Sequence, residues 1–186
     1  GTMATLWNPP YYPVHVERLG YEKQVDWVEY RIRVPPAPEP RLRRLRQRVE
    51  QQNALRVVRF SSRRELRSYA RPILDLVNEA YASLHGFVPL TEAQREDALR
   101  RYFGYLNPEF LFVVLDADGR LAAFGLTIPS LGPALRKGGG RLLPFGWFHL
   151  WRAIRGGDVL DLLLVAVRPD LQGKGVNAVL IDDPDH

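Results

Sequence analysis

The sequence predicts an α/β (α+β) domain, a mixed sheet with helices packed on it. Three observations carry this. Phe110 to Leu115 is an apolar strand, Asp116-Ala117-Asp118-Gly119 a tight turn, and Arg120 to Ile128 the antiparallel return strand. Two helix starts carry capping boxes, Ser62-x-x-Glu65 and Thr91-x-x-Gln94, in which side chains satisfy orphan backbone donors reciprocally. Val159 to Val167 is a continuous apolar run broken only by Asp161; it is too short to cross a bilayer and suits a strand covered on both faces.

Composition sets the outer bounds. The 186 residues are 46% hydrophobic and 25% charged, as in an ordinary globular protein with a real core. With no cysteine there is no disulfide framework, thiol nucleophile or thiolate metal site. The net charge is +5, and of the 26 basic residues only Lys23, Lys137 and Lys174 are lysines. Such a balance suits nucleic acid, a membrane surface or an anionic ligand, or is a simple bias toward arginine. His15, His85, His149 and His186 show no metal spacing, and no Gly-x-Ser-x-Gly marks a hydrolase. The expected setting is cytoplasmic, with no signal peptide and no membrane partner.

In chain order, Met3 to Trp7 reads as a short strand. Tyr12, Val16 and Leu19 make a helical face closed by Gly20. Tyr21 to Val34 reads as two β-like pieces, with Val25, Trp27, Val28 and Tyr30 to Ile32 as apolar positions. Four prolines in residues 35–40 form a semi-rigid linker. Arg41 to Glu50 is a helix with Leu42, Leu45 and Val49 on one face; its arginines are a solvated surface or a nucleic-acid contact. Leu55 to Phe60 is a strand. A long helix then carries Leu66, Tyr69, Ala70, Ile73, Leu74, Val77 and Tyr81, with Pro72 expected to kink it or shift its start. Leu84 to Leu90 is a loop, and Ala98, Leu99, Tyr102 and Phe103 line the next helix. Pro129 to Gly157 is irregular apart from Leu142 to Ile154, which reads as a packed helix or a lid rather than a membrane anchor. Val176, Ala178, Val179 and Leu180 open a last helix.

The junction after the apolar run carries the chemistry. A strand, a glycine-bearing turn and a helix start expose backbone N–H groups to an anion, and glycine lets the anion approach. The Walker loop is excluded, because Gly175-Val176 stands where Gly-Lys-Ser/Thr is needed. The dinucleotide loop is excluded too, because only Gly173 and Gly175 are present. The pattern Val167-x-Pro169-x-x-Gln172-Gly173-x-Gly175 resembles the acyl-CoA loop of the GNAT N-acetyltransferases. The resemblance implies that Val165, Ala166 and Val167 pair with the pantetheine amides. It implies further that Gln172, Gly173, Lys174, Gly175, Val176 and Asn177 hold the pyrophosphate of acetyl-CoA or another acyl-CoA. Asn177 departs from the Gly or Ala usual at that position.

The opening, Asn8-x-x-x-Tyr12 and Glu17-Arg18-Leu19-Gly20-Tyr21, resembles the fifth strand, fourth helix and sixth strand of a GNAT fold. Val16 stands where many members carry an acid tyrosine, with Tyr11 and Tyr12 nearby. Phe87-Val88-Pro89-Leu90-Thr91, Leu142-Leu143-Pro144-Phe145-Gly146 and the Asn8-Pro9-Pro10-Tyr11-Tyr12 opening together resemble a bacterial family with two GNAT-like domains in tandem. The implied fold is a mostly antiparallel twisted sheet with helices on both faces. Here second-half elements (1–34) precede a linker (35–40), first-half elements (41–181) and a tail (182–186). That order implies a piece cut across two domains. Read in a circle, its elements complete one set, by circular permutation or by exchange in a homodimer.

The expected function is N-acylation of an unidentified amine from acyl-CoA, with Glu79, Glu92, Glu96 and Asp161 as conceivable bases and no catalytic residue assigned. A non-catalytic module of the same fold stays open. Nucleic-acid binding through residues 41–48 is the weakest alternative, lacking a motif or a stacking platform.

Overall fold

The computed structural model describes residues 8–34, 39–103 and 106–181. The expected strand at 3–7 and the tail at 182–186 lie outside them, as does most of the linker. The fold is the mixed α/β class that the sequence implies, a four-stranded open sheet with seven α-helices among the described residues.

Strand β1 (Arg56–Arg59) pairs antiparallel with β2 (Leu111–Leu115), and β2 with β3 (Leu121–Pro129). Strand β4 (Leu160–Val167) completes the order β1-β2-β3-β4. At one end the Ser130 N–H donates to the Val159 carbonyl, and at the other the Arg168 N–H donates to the Ala122 carbonyl, both at 2.8 Å. Rising numbers on β3 thus meet falling numbers on β4, so this pair is antiparallel as well. Val113 faces Phe124 and Val114 faces Ala123, but Leu115 faces Leu121, so Ala122 is an inserted residue.

The chain divides into two compact units. One is Pro35–Thr127 with Leu162–His186; the other is Gly1–Val34 with Ile128–Asp161. The first contains both hydrophobic clusters. Helix α3 (Arg63–Tyr81) lays Leu66, Ile73, Leu76, Val77 and Ala80 against Leu111, Val113, Leu115, Phe124, Leu126 and Ala166. On the opposite face, Val49 of α2 (Pro40–Gln52) and Val179 of α7 (Asn177–Ile181) meet Val114, Ala122, Ala123 and Val167. Helices therefore cover both faces, which is why all five residues of β2 are buried. Helix α2 docks through Val49, with Leu45 largely exposed, rather than through a row of leucines.

The caps form unequally. At α4 (Glu92–Arg101) the Thr91–Gln94 box closes in both directions. At α3 the Ser62 hydroxyl accepts from the Glu65 N–H at 3.3 Å, but the Glu65 carboxylate turns back to the N–H and hydroxyl of Ser61. Pro72 neither ends α3 nor moves its start; it lies on the exposed face, where water can reach the carbonyl left without an N–H partner. The loop before α4 is pinned to α3 by Asn78, whose amide both donates to the Leu90 carbonyl (2.9 Å) and accepts from its N–H (2.8 Å).

Two expectations are corrected in the second unit. Helix α1 (Tyr11–Arg18) forms but buries none of its residues, and 21–34 contains no strand. Val25, Trp27, Val28, Tyr30 and Ile32 are all exposed; a β-like pattern without a hydrogen-bonded neighbour does not make a strand. Residues 8–34 therefore contain none of the four strands. Second, the stretch 129–157 is more regular than expected, with α5 (Gly132–Lys137) and α6 (Gly146–Gly156), yet α6 is not packed by its aromatic face.

Phe124 is 0% exposed and Trp27 72%. Truncating Phe124 to alanine should lower unfolding free energy by about 3–5 kcal/mol. Trp27→Ala should stay within about 0.5 kcal/mol. Urea midpoints at constant slope measure both.

Candidate functional site

The site is built where β4 ends. Pro169 cannot donate to a ladder, and residues 169–171 turn once as a 3-10 helix. Residues 172–176 are turn, and α7 begins at Asn177. Gly173 has φ +73° and Gly175 φ +80°, both in the left-handed region that glycine tolerates. A Cβ at Gly173 would meet open space, whereas one at Gly175 would lie 3.1 Å from Val49 Cγ2 on α2. Gly175 is thus needed twice, for its dihedral and for the close approach of the turn to α2.

The turn's polar groups divide cleanly. The N–H groups of Gln172, Lys174, Ala178 and Val179 donate to the carbonyls of Pro169, Leu171, Gly175 and Val176. Those of Gly173, Gly175, Val176 and Asn177 find no acceptor among the described residues. Gln172, Gly173, Lys174 and Asn177 are exposed, Gly175 is half-buried and Val176 is buried. Successive N–H groups in a turn with left-handed glycines make an anion-receiving concavity.

Three side chains hold this arrangement. The Gln172 amide donates to the Val167 carbonyl at 3.0 Å, folding the turn back on its strand. Tyr81, from the last turn of α3, donates its hydroxyl to the Val165 carbonyl at 2.8 Å, and burial pushes its phenol up. Arg168 is the hub. Its guanidinium donates to Asp170 (2.7 and 3.1 Å), to Asp116 in the hairpin turn (2.8 Å) and to the Leu121 carbonyl (3.3 Å). Asp116 in turn accepts from the N–H groups of Asp118 and Arg120. Arg168 holds Asp170 below the usual carboxylate range. Asp116 also lies low: burial works against this, but Arg168 and the two N–H groups outweigh it.

Backbone direction follows from the same contacts. The Arg168 N–H points to β3, so the N–H and carbonyl groups of Val167 and Val165 point the other way. Their carbonyls take Gln172 and Tyr81; their N–H groups face an edge with no strand beside it among the described residues. The alternation slips along β4. Leu163 and Leu164, consecutive in sequence, pack against the same cluster, and the residue meeting β3 changes from odd (Val159) to even (Arg168).

The expected site residues Val165 to Val167 and Gln172 to Asn177 are thus contiguous in space. The conceivable bases are not gathered there. Glu92 pairs with Arg71 and with Arg95 (2.6 Å), which keep its carboxyl below the usual range, so it is a poor base. Glu96 lies 3.8 Å from Arg100, Glu79 is exposed on α3, and Asp161 is buried near the start of β4. Tyr11 and Tyr12 are exposed and pack edge to face, centroids 4.9 Å apart; Val16 is exposed on the same helix. The residues sequence reasoning missed are Tyr81, Arg168 and Asp116. Arg168-x-Asp170 is a local signal of a clamp; nothing in the sequence links Asp116 or Tyr81 to this turn.

Arg168→Leu should lower stability at neutral pH by about 1–3 kcal/mol, most of it from the Asp116 side, since Asp170 is better solvated. Both carboxyl pKa values are depressed in the folded state. The stabilisation is therefore present above about pH 4, the unfolded aspartate range, and is lost as pH falls through the folded values. The stability difference between the two proteins should shrink on acidification, as followed by thermal melts from neutral to acid pH.

No family model matches the chain. It is 28% identical over 177 residues to Protein YghO of Escherichia coli (strain K12), covering 92% of this chain and 44% of that protein. It is 26% identical over 168 residues to the Bacterial ceramide synthase of Caulobacter vibrioides (strain NA1000 / CB15N), covering 89% and 43%. The chain thus spans less than half the length of either relative.

Proposed function

We propose that this chain is part of a GNAT-type N-acyltransferase that takes its acyl group from acyl-CoA and passes it to an amine of lipid class. The observation that carries this is the set of N–H groups without acceptors on Gly173, Gly175 and Asn177, in a turn following β4, which among the described residues has no strand beside the outward N–H groups of Val165 and Val167. A diphosphate suits the first set and an amide-bearing arm the second. Ceramide is an amide of a long-chain amine, so the name of one relative agrees with amide formation.

In the reaction the amine nitrogen attacks the thioester carbonyl, a C–N bond forms and the C–S bond breaks. The thiol leaves carrying a proton that the amine gives up. The chain contributes position: β4 would hold the donor's arm in register and the turn would anchor its far end. Backbone N–H groups supply charge stabilisation without reorganising. No residue is assigned as base. Glu92 is set aside because two arginines hold its carboxylate.

A second reading, a non-catalytic acyl-CoA-binding module, is favoured by one observation: β4 has no strand on its outer side among the described residues. Titrating the full chain with acetyl-CoA and a long-chain acyl-CoA should raise Tm, since a ligand at 100 times Kd adds about 2.7 kcal/mol. Asn177→Asp should weaken binding about tenfold or more through repulsion of the diphosphate, while leaving the fold intact, because an acid at a helix start favours the helix. Mass spectrometry of an incubation with a long-chain amine separates the readings. An N-acylated product supports the transferase, and binding without product the module. If neither donor shifts Tm, both fall.

A further inference from the structure

Helix α6 is inside out. Its half-buried positions are His149, Leu150 and Ala153, whereas Trp147, Phe148, Trp151 and Ile154 are 44–57% exposed. At about 100° per residue, Ile154, Trp147, Trp151, Arg155 and Phe148 fall in one stripe roughly 120° wide. The rings form one continuous surface: Phe148 stacks on Trp151 (centroids 6.0 Å, planes at 22°) and meets Trp147 edge-on at 6.1 Å. Leu142, Leu143 and Phe145, just before the helix, are exposed at 61%, 77% and 70%. Seven large apolar side chains within thirteen residues far exceed the scattered exposure of an ordinary surface.

The charge around this face has one sign. Residues 128–157 contain Arg136, Lys137, Arg141, Arg152 and Arg155 and no Asp or Glu. The whole chain has 26 basic and 21 acidic residues, so these five cations equal its entire net charge of +5 and the remainder is balanced. Arg155 lies over the Trp151 ring at 4.7 Å, an arrangement that holds a cation against the aromatic face. No helix among the described residues is long and apolar enough to cross a membrane. A helix with aromatic and aliphatic side chains on one stripe, Arg155 over its Trp151 ring and Arg152 beside it is suited instead to lie in the headgroup region.

We propose that the segment 141–155 docks on the surface of an anionic lipid bilayer, with Leu142, Leu143, Phe145, Trp147, Trp151 and Ile154 entering the headgroup layer and the basic residues facing lipid phosphates. Nucleic acid fits less well, because three of the seven exposed side chains, Leu142, Leu143 and Ile154, are aliphatic and give a base no ring to stack on. This inference is independent of the acyltransferase reading: it uses no residue of the turn at 172–177 and needs no acyl-CoA.

Sedimentation of the full chain with vesicles tests it, using phosphatidylcholine alone and phosphatidylcholine mixed with phosphatidylglycerol. Binding should favour the anionic vesicles and fall with added salt. Arg152→Glu with Arg155→Glu should weaken it by more than tenfold, at about fivefold per cation lost. Trp147→Ser with Trp151→Ser should weaken it comparably, and both pairs are exposed, so circular dichroism should be unchanged. Brominated acyl chains should quench tryptophan fluorescence in a Trp7→Phe, Trp27→Phe variant and not in a Trp147→Phe, Trp151→Phe variant. Equal binding to neutral vesicles, no binding to either, or quenching that survives loss of Trp147 and Trp151 would overturn the proposal. A dimer in light scattering that Trp151→Ser dissociates would overturn it too, by assigning the face to a second copy. So would RNA binding lost in the same arginine variant while vesicle binding persists.

Discussion

The fork of Arg168 is the contact on which the turn depends. The turn departs from a strand that has a neighbour on one side only among the described residues, and it contains two left-handed glycines that resist fraying poorly by themselves. One guanidinium ties the strand's end to the hairpin turn through Asp116 and to the following residues through Asp170. Its own N–H meanwhile closes the ladder onto Ala122, the residue inserted between β2 and β3. A lysine has the charge but not the geometry for this, because three acceptors in different directions need a planar fork. Gln172 and Tyr81 then engage the outward carbonyls of Val167 and Val165, leaving donors rather than free acceptors at the turn end of that side.

That asymmetry gives the edge its chemical character. An edge strand ordinarily offers alternating donors and acceptors, which invites another strand. With the carbonyls of Val165 and Val167 already engaged, the edge presents N–H groups, and the turn beyond it presents more. A ligand rich in oxygen is the complement of such a surface. The face of α6 has the opposite chemistry, apolar side chains rimmed by cations, and asks for a different kind of neighbour. One set of groups lacks acceptors and the other lacks an apolar cover, and each is explained by what its own residues cannot find within the described chain.

Local physics explains where the sequence was readable. Thr91 and Gln94 cap α4 because both partners lie within three residues, and Asp116 to Gly119 close the hairpin for the same reason. The apolar run at 159–167 is a strand and the glycine turn follows it, so the candidate site's backbone was legible in the order of residue types. Readings that needed a partner fared worse. The Tyr21 to Val34 pattern is as β-like as the Leu55 to Phe60 one, but only the latter has a β2 to pair with. Residues 142–154 look like a core helix by hydropathy, but hydropathy does not say which side faces inward, and in the fold the half-buried positions are His149, Leu150 and Ala153 rather than the tryptophans. Glu92 had the composition of a base, and two arginines from i−21 and i+3 removed that role.

The amino-acid sequence alone determined the class of the fold, the hairpin and its turn, the helix starts, and the strand-glycine-helix junction. These rest on hydrogen bonds and dihedral preferences that act within a few residues. Only the tertiary structure decided that Asp116 and Arg168 meet across 52 positions, that Tyr81 caps Val165, that β4 ends the sheet order among the described residues, and that the aromatic side of α6 faces outward. Each of these depends on which surfaces remain once the core around Phe124 has closed, and no local pattern encodes what is left over.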